Sequence, residues 1–180
     1  MIKAILEYFN KLWYSKNENK VVKGDVIMIQ YDIRTIAEWI LSREELTHKR
    51  LQKYLYFFYG EYLARMNNSI GGRVIELFRN DFEGWAHGPV SPTIYAIYKG
   101  SGYRPLRIHS STVMNVTVED NAILSEIYNK YKSYTTDQLE SLSHQQIPWI
   151  NSRIGLGWFD IGNRPLTIED IFECFHGNNS

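Results

Sequence analysis

Apolar positions recur at helical spacing in several separate stretches. Ile33, Ile36, Ala37, Ile40 and Leu41 make one narrow stripe behind Asp32, an N-cap residue type, and the stripe gives way near Ser42. Thr47 caps the next helix, His48 to about Met66. There Leu51, Tyr54, Leu55, Phe58, Tyr59, Tyr62, Leu63 and Met66 make a face too broad for one neighbour, as in a central core helix. Gly60 costs a helix interior about 1 kcal/mol, which predicts the close approach of another backbone there, the following hairpin being the candidate. Ile123, Leu124, Ile127, Tyr128 and Tyr131 predict a further helix capped by Asp120, and Thr135 with Gln138 forms a capping box over Asp137 to Leu142. Thr167 to Phe175 reads as a capped terminal helix, and Ile2, Ile5, Leu6, Phe9, Leu12 and Trp13 as a short amphipathic one.

Between these lie extended stretches. Val21 to Gln30 has strand character, Ile70 to Trp85 reads as an irregular extended pair, and Asn115 to Val118 as one short strand in a loop. The most specified passage runs from Asp81 to Tyr98. Phe82 and Trp85 lead into the Gly88-Pro89 turn, and Ser91 followed by Pro92 is an N-cap with proline at the first helical position, launching Ile94, Ile97 and Tyr98 before Gly100-Ser101-Gly102 stops the helix. The pattern predicts a mainly α, single globular helical domain of six or seven helices, with a small β-hairpin inserted after the central helix.

At 180 residues, one core burying about 70% of the unfolded surface is expected. The 13 Tyr, 8 Phe and 5 Trp exceed ordinary usage; an aromatic-rich core is the plainer reading, and a surface built for protein contact the other. Lys plus Arg and Asp plus Glu balance at 20 each, which disfavours a duplex-DNA partner held by counterion release. The one cysteine, Cys174, cannot form an internal disulfide and suits a reducing cytoplasm. No apolar run is long enough to span a bilayer, and no signal-peptide pattern opens the chain.

Candidate chemistry is sparse. The five histidines are scattered, HExxH and CxxC are absent, and Cys174 with His176 is the one close soft pair. Neither GxSxG nor a phosphate-cradling glycine loop occurs, so no catalytic residue, metal or cofactor is expected. His87 and His144 each stand near a tryptophan and a proline bend. The structural role for such a ring is donation to a backbone carbonyl that locks the turn, with recognition as the alternative. Trp85 and Trp149 read as anchors, and Arg50 and Lys53 as a solvated helix flank that an acidic partner could also meet.

Three segments carry a family resemblance. Phe82-Glu83-Gly84-Trp85-Ala86-His87-Gly88-Pro89-Val90-Ser91-Pro92 with Tyr95 resembles FEAW-x-x-GPV-x-P-x-x-Y. Arg50 to Phe57 with Gly60, Tyr62, Leu63 and Ala64 is similar to KLQKLLYYAQGWYLA, with Phe58-Tyr59 in place of Ala-Gln. Tyr134 to Leu139, then Leu142-Ser143-His144 through Pro148-Trp149 to Arg153, resembles Y-S-A-E-E-L-S-x-L-T-H-x-x-x-P-W-x-x-A-R, with Ser143 for threonine and Ser152 for the small apolar residue. These are the marks of the Panacea domain, which includes SocA-like antitoxins and phage-associated proteins of the genetic-element protein A type.

The resemblance implies an antitoxin that binds a small cognate toxin protein encoded beside it, with an ATP-dependent protease as a further partner if neutralisation works by delivery. A DNA-binding regulator of a phage or mobile element, and an enzyme, are the other classes. Contact residues are expected on an aromatic surface near Tyr54, Trp85, His87, Tyr95 and Tyr98; the motif residues Leu51, Gln52, Lys53, Gly60, Gly88, Pro89, Pro92, His144, Pro148 and Trp149 are expected to be structural. Family members usually begin near a position like Met28, and Lys23-Gly24-Asp25 can be back-translated to a stretch resembling a bacterial ribosome-binding site, which would make Met28 the natural start. Residues 1–27 are therefore expected to be an N-terminal extension, helix plus linker, ahead of the domain at 28–180.

Overall fold

The structure, a computed structural model, describes residues 20–22, 25–108 and 116–177. The amphipathic stretch from Ile2 to Trp13 lies outside the described residues. Two short strands open the described chain, β1 (Lys20–Val22) and β2 (Asp25–Ile29). They are followed by α1 (Ile33–Leu41), α2 (His48–Met66), β3 (Arg73–Glu76), β4 (Glu83–Trp85), β5 (Gly88–Val90) and α3 (Pro92–Tyr98). A 3-10 turn at Lys99–Ser101, then α4 (Val118–Tyr131), α5 (Thr136–His144), α6 (Ile147–Ser152) and α7 (Ile168–His176) complete it. The fold is mainly α, with seven α-helices among the described residues.

Everything is arranged around α2. All fourteen residues from Leu51 to Ala64 are buried, so the broad apolar face predicted for this helix continues right round it. Helices α1, α4, α5 and α7 and the strands β3 and β5 surround it. A helix enclosed on all sides must still satisfy its polar side chains. The Tyr59 hydroxyl donates to Glu76 at 2.7 Å, that of Tyr62 to Asp120 at 2.7 Å, and Glu61 accepts from Tyr131 at 2.7 Å and from Lys130.

Caps fall where the sequence places them at Asp32, Thr47, Ser91, Thr135 and Thr167, each side chain accepting from a backbone N–H of the first turn, and the Thr135–Gln138 box is reciprocal. Helix α4 corrects two expectations. Its N-cap is Thr117 and not Asp120, and Val118 is helical. A carboxylate two residues inside the helix has better partners than a cap: Asp120 is buried and accepts the hydroxyls of Tyr31 at 2.5 Å and Tyr62 at 2.7 Å.

The extended stretches form two small sheets. Strand β3 pairs in parallel with β2, Val74 opposite Ile27, and β1 adds antiparallel to β2. The segment from Ile70 to Trp85 is thus split. Its first part joins the N-terminal strands, while β4 turns at Trp85–Gly88 into β5 to make the hairpin. Residues 20–22 and 25–27, placed in the extension by the sequence, are strand residues of the first sheet.

Gly60 also departs from expectation. A Cβ there would run into the Phe175 ring, so the gap in α2 admits an aromatic side chain of α7 and not the hairpin backbone. Phe175 packs edge-on against Tyr56 and Phe57 at the same place, at 5.7 and 6.0 Å.

Candidate functional site

The hairpin β4–β5 is held through its backbone. Trp149 Nε1 donates to the Trp85 carbonyl at 2.8 Å, and Arg153 Nη1 to that of Gly84 at 3.0 Å. Lys53, on α2, donates its ammonium to the carbonyls of His87 and Pro89. The preceding residue, Gln52, grips Ser91 with both ends of its amide, accepting from the Ser91 N–H at 2.8 Å and donating to its carbonyl at 3.2 Å. Lys53 is therefore no solvated flank: it is 1% exposed, and burial pulls its pKa down to about 7 against the opposing pull of Glu140. Arg50 likewise turns inward, to the carbonyls of Tyr134 and Lys132 and the hydroxyl of Tyr54.

Gly88 is fixed by the same arrangement. Its φ is +92°, and a Cβ there would sit 2.5 Å from Lys53 Nζ and 2.7 Å from Ser143 Oγ. The residue must be glycine for its backbone conformation and for space alike. Pro89 is buried beside it, and Pro92 starts α3 under the Ser91 cap. Leu51 is fully buried in the core; Pro148 and Trp149, near the start of α6, are also buried.

With its backbone gripped from inside, the hairpin presents side chains outward. Trp85 is half-buried with its ring 4.8 Å from that of Tyr95, which is 38% exposed. Tyr95 in turn lies 5.3 Å from the His48 ring, and half-buried Tyr98 6.4 Å from it. Burial lowers the His48 pKa and raises that of Tyr98. His87 is exposed at the tip, its Nδ1 3.0 Å from Glu140. Burial acts to raise the Glu140 pKa, but the bonds from Lys49 and His87 outweigh it and hold the carboxyl below its usual range. An open cleft of about 570 Å³ runs on from there between Lys49, His87, Asp137, Glu140, His144 and Trp158.

Four of the five expected contact residues, Trp85, His87, Tyr95 and Tyr98, thus belong to one side of the molecule. Tyr54 does not. It is fully buried, its hydroxyl donating to Glu44 at 2.8 Å, on the broad core face of α2 where its helical spacing puts it. The histidines also differ from expectation. The His87 ring meets a carboxylate, while its own carbonyl receives Lys53. His144 stacks on Trp149 at 4.0 Å and 20°, and its buried Nε2 has no hydrogen-bond partner among the described residues.

Sequence reasoning missed His48, which links Tyr95 to Tyr98, and Glu140, which gathers Lys49 and His87. The available signal for His48 was its place one turn before Gln52, whose amide lies 3.1 Å from its ring. A larger groove of about 680 Å³, on the Thr93 and Ile97 side of α3 against Asp32, Arg34, Arg79 and Asp81, holds none of the expected site residues. Among the described residues no three His, Cys, Asp or Glu side chains gather as a metal cluster, and no helix is long and apolar enough to cross a membrane.

The family model of the SocA-like antitoxin Panacea domain matches residues 51–150, more than half of the 180. The chain belongs to this family. No curated protein and no solved structure matches it. The matched region contains Gln52, Lys53, the whole hairpin, Ser143 and Trp149, so the Panacea domain is here a central helix, a hairpin and the α5–α6 corner tied together at the hairpin backbone. An antitoxin-type role follows from the family at that level.

Proposed function

We propose that this Panacea-domain protein neutralises a cognate protein toxin by holding it on the surface formed by Trp85, His87, Tyr95 and Tyr98 together with His48. The observation that carries this reading is the hairpin itself. Gln52, Lys53, Trp149 and Arg153 all bind its main chain, which leaves the side chains at its tip and on α3 rigidly placed yet open to a partner. A surface prepared in this way loses little freedom on binding, and tyrosine, tryptophan and histidine offer apolar area with a polar edge. The mechanism is stoichiometric binding, without turnover.

The test is co-expression with the product of the neighbouring gene. Growth rescue with a co-purifying complex and an unchanged toxin level means masking; rescue with a toxin level that falls only when an ATP-dependent protease is active means delivery. Alanine at Trp85 or Tyr95 should weaken the complex by about 2 kcal/mol or more, as truncation of a central anchor does. Folded alanine variants at Trp85, His87, Tyr95 and Tyr98 that all still neutralise would reject this surface, and no rescue of any neighbouring product would reject the antitoxin role.

A further inference from the structure

Of the eleven large apolar side chains that stand in water among the described residues, six lie within one short stretch: Ile147, Ile150, Ile154, Trp158, Phe159 and Ile161. Single exposed apolar residues are ordinary, but a concentration of them is not. Exposure rises along the stretch from 43% at Ile150 to 83% at Phe159 and 92% at Ile161.

The turn that carries the last three is nonetheless tightly built. Arg153, 6% exposed, sends its guanidinium to the carbonyls of Gly157 at 2.6 Å, Trp158 at 3.1 Å and Asp160 at 3.1 Å. The Asp160 carboxylate closes the turn by accepting from the Gly157 N–H at 2.6 Å, and Arg164 donates to the Ile154 carbonyl at 2.6 Å. Burying a guanidinium to order a turn brings no internal packing for Phe159 or Ile161. Ordering in advance does help if another surface covers them.

We infer that this face is a homodimer interface, in which the Trp158–Ile161 turn of one chain lies on the Ile147, Ile150 and Ile154 ridge of a second copy. Three observations select a second copy. The six side chains expose on the order of 800 Å², about what one partner contributes to a standard interface. The charged side chain of the Trp158–Ile161 turn, Asp160, is engaged with the Gly157 N–H, so the face is more apolar than the Trp85–Tyr95 surface with its His87–Glu140 and Lys49–Glu140 pairs, as homodimer interfaces are. The stretch also holds a ridge, with Ile147, Ile150 and Ile154 at helical spacing along α6 and just past it, and next to it a projecting turn. A two-fold contact requires both on the same patch. The inference concerns the chain alone and stands or falls independently of any toxin.

Sedimentation velocity of the full chain between about 1 and about 100 µM should show a species of twice 21.2 kDa. Ile150→Glu and Phe159→Lys should each raise the dimer dissociation constant at least about tenfold with unchanged circular dichroism, since both side chains are exposed. Mixing those two variants should restore association, because the new glutamate of one chain meets the new lysine of the other. A full chain that stays monomeric at about 100 µM overturns the inference. Oxidative footprinting of that monomer then tells a face covered by the chain's own first residues, with Trp158 and Phe159 protected, from a face left to a different partner. A dimer indifferent to both substitutions, or a mixture no tighter than its parts, overturns it equally.

Discussion

Lys53 and Arg153 each bury a cation against the backbone of a turn, Lys53 on the carbonyls of His87 and Pro89, Arg153 on those of Gly157, Trp158 and Asp160. The turns differ in what else holds them. Around Gly88 the hairpin is also gripped by Gln52 at Ser91 and by Trp149 at Trp85, and Pro89 and Val90 are themselves buried. The Gly157–Asp160 turn is held by Arg153 and its own Asp160, and by the edge of the Trp158 ring against His144 and Trp149, while Phe159 stands in solvent. Arg153 also reaches Gly84, so it ties the second turn to the first. The choice of cation fits this. A planar guanidinium can serve four carbonyls at once and keeps its charge, whereas an ammonium serves fewer and can lose its proton when buried.

The comparison is broken most directly by removing Arg153. Arg153→Ala strands carbonyls in two segments and should cost about 4 kcal/mol in urea unfolding, with Trp158 fluorescence shifting as the turn loosens. A loss under about 1 kcal/mol would mean that the turn holds itself. Gly88→Val comes next, at about 3 kcal/mol, since it meets both a positive φ and the Lys53 ammonium; Pro89→Ala, which keeps the space, should cost about 1 kcal/mol. Equal melting temperatures for the two variants would show that the hairpin tip yields more easily than its contacts imply.

Much of this was legible in the sequence because it is local. Ser91 and Pro92 fix the start of α3, Thr135 and Gln138 that of α5, and Gly88-Pro89 marks the place where the hairpin turns back. What was not legible depends on neighbours far along the chain. Lys53 and Arg50 look like flank residues on a helical wheel, and only the crowding of α2 from every side buries the one and turns the other inward. Asp120 looks like a cap until Tyr31 and Tyr62 arrive to claim it. Gly60 announces a close approach without saying that Phe175, more than a hundred residues later, makes it. The site divides in the same way: Trp85, His87 and Tyr95 could be found from the motif, but His48 and Glu140 enter by tertiary contact.

The two cations should also respond differently to pH. In the folded state Lys53 titrates at about 7, against 10.5 when exposed, so between these values the unfolded chain holds a proton that the folded one has released. Stability linked to this group is then fully present above about pH 10.5 and is lost as pH falls through about 7. Relative to Lys53→Met, the wild type should gain about 2 kcal/mol between pH 7.5 and 9.5, whereas the difference between wild type and Arg153→Ala should stay flat over that range. Parallel pH profiles for wild type and Lys53→Met would show that the ammonium keeps its proton on the hairpin carbonyls.

The smallest expected effect sharpens the contrast most, because it separates a turn's backbone from its side chains. Phe159 and Ile161 are 83% and 92% exposed, so replacing either by serine removes almost no buried surface, and the carbonyls that Arg153 reads at Gly157, Trp158 and Asp160 remain. Measured by urea denaturation dilute enough to keep the chain monomeric, Phe159→Ser and Ile161→Ser should fall within about 0.5 kcal/mol of wild type. At the hairpin the comparable change, Val90→Ser, removes a buried apolar side chain and should cost about 2 kcal/mol. If Phe159→Ser proved as costly as Val90→Ser in the dilute monomer, its side chain would be packed within its own chain. The turn would then be built for stability, and the contrast between a hairpin supported from inside and a turn displayed outward would disappear.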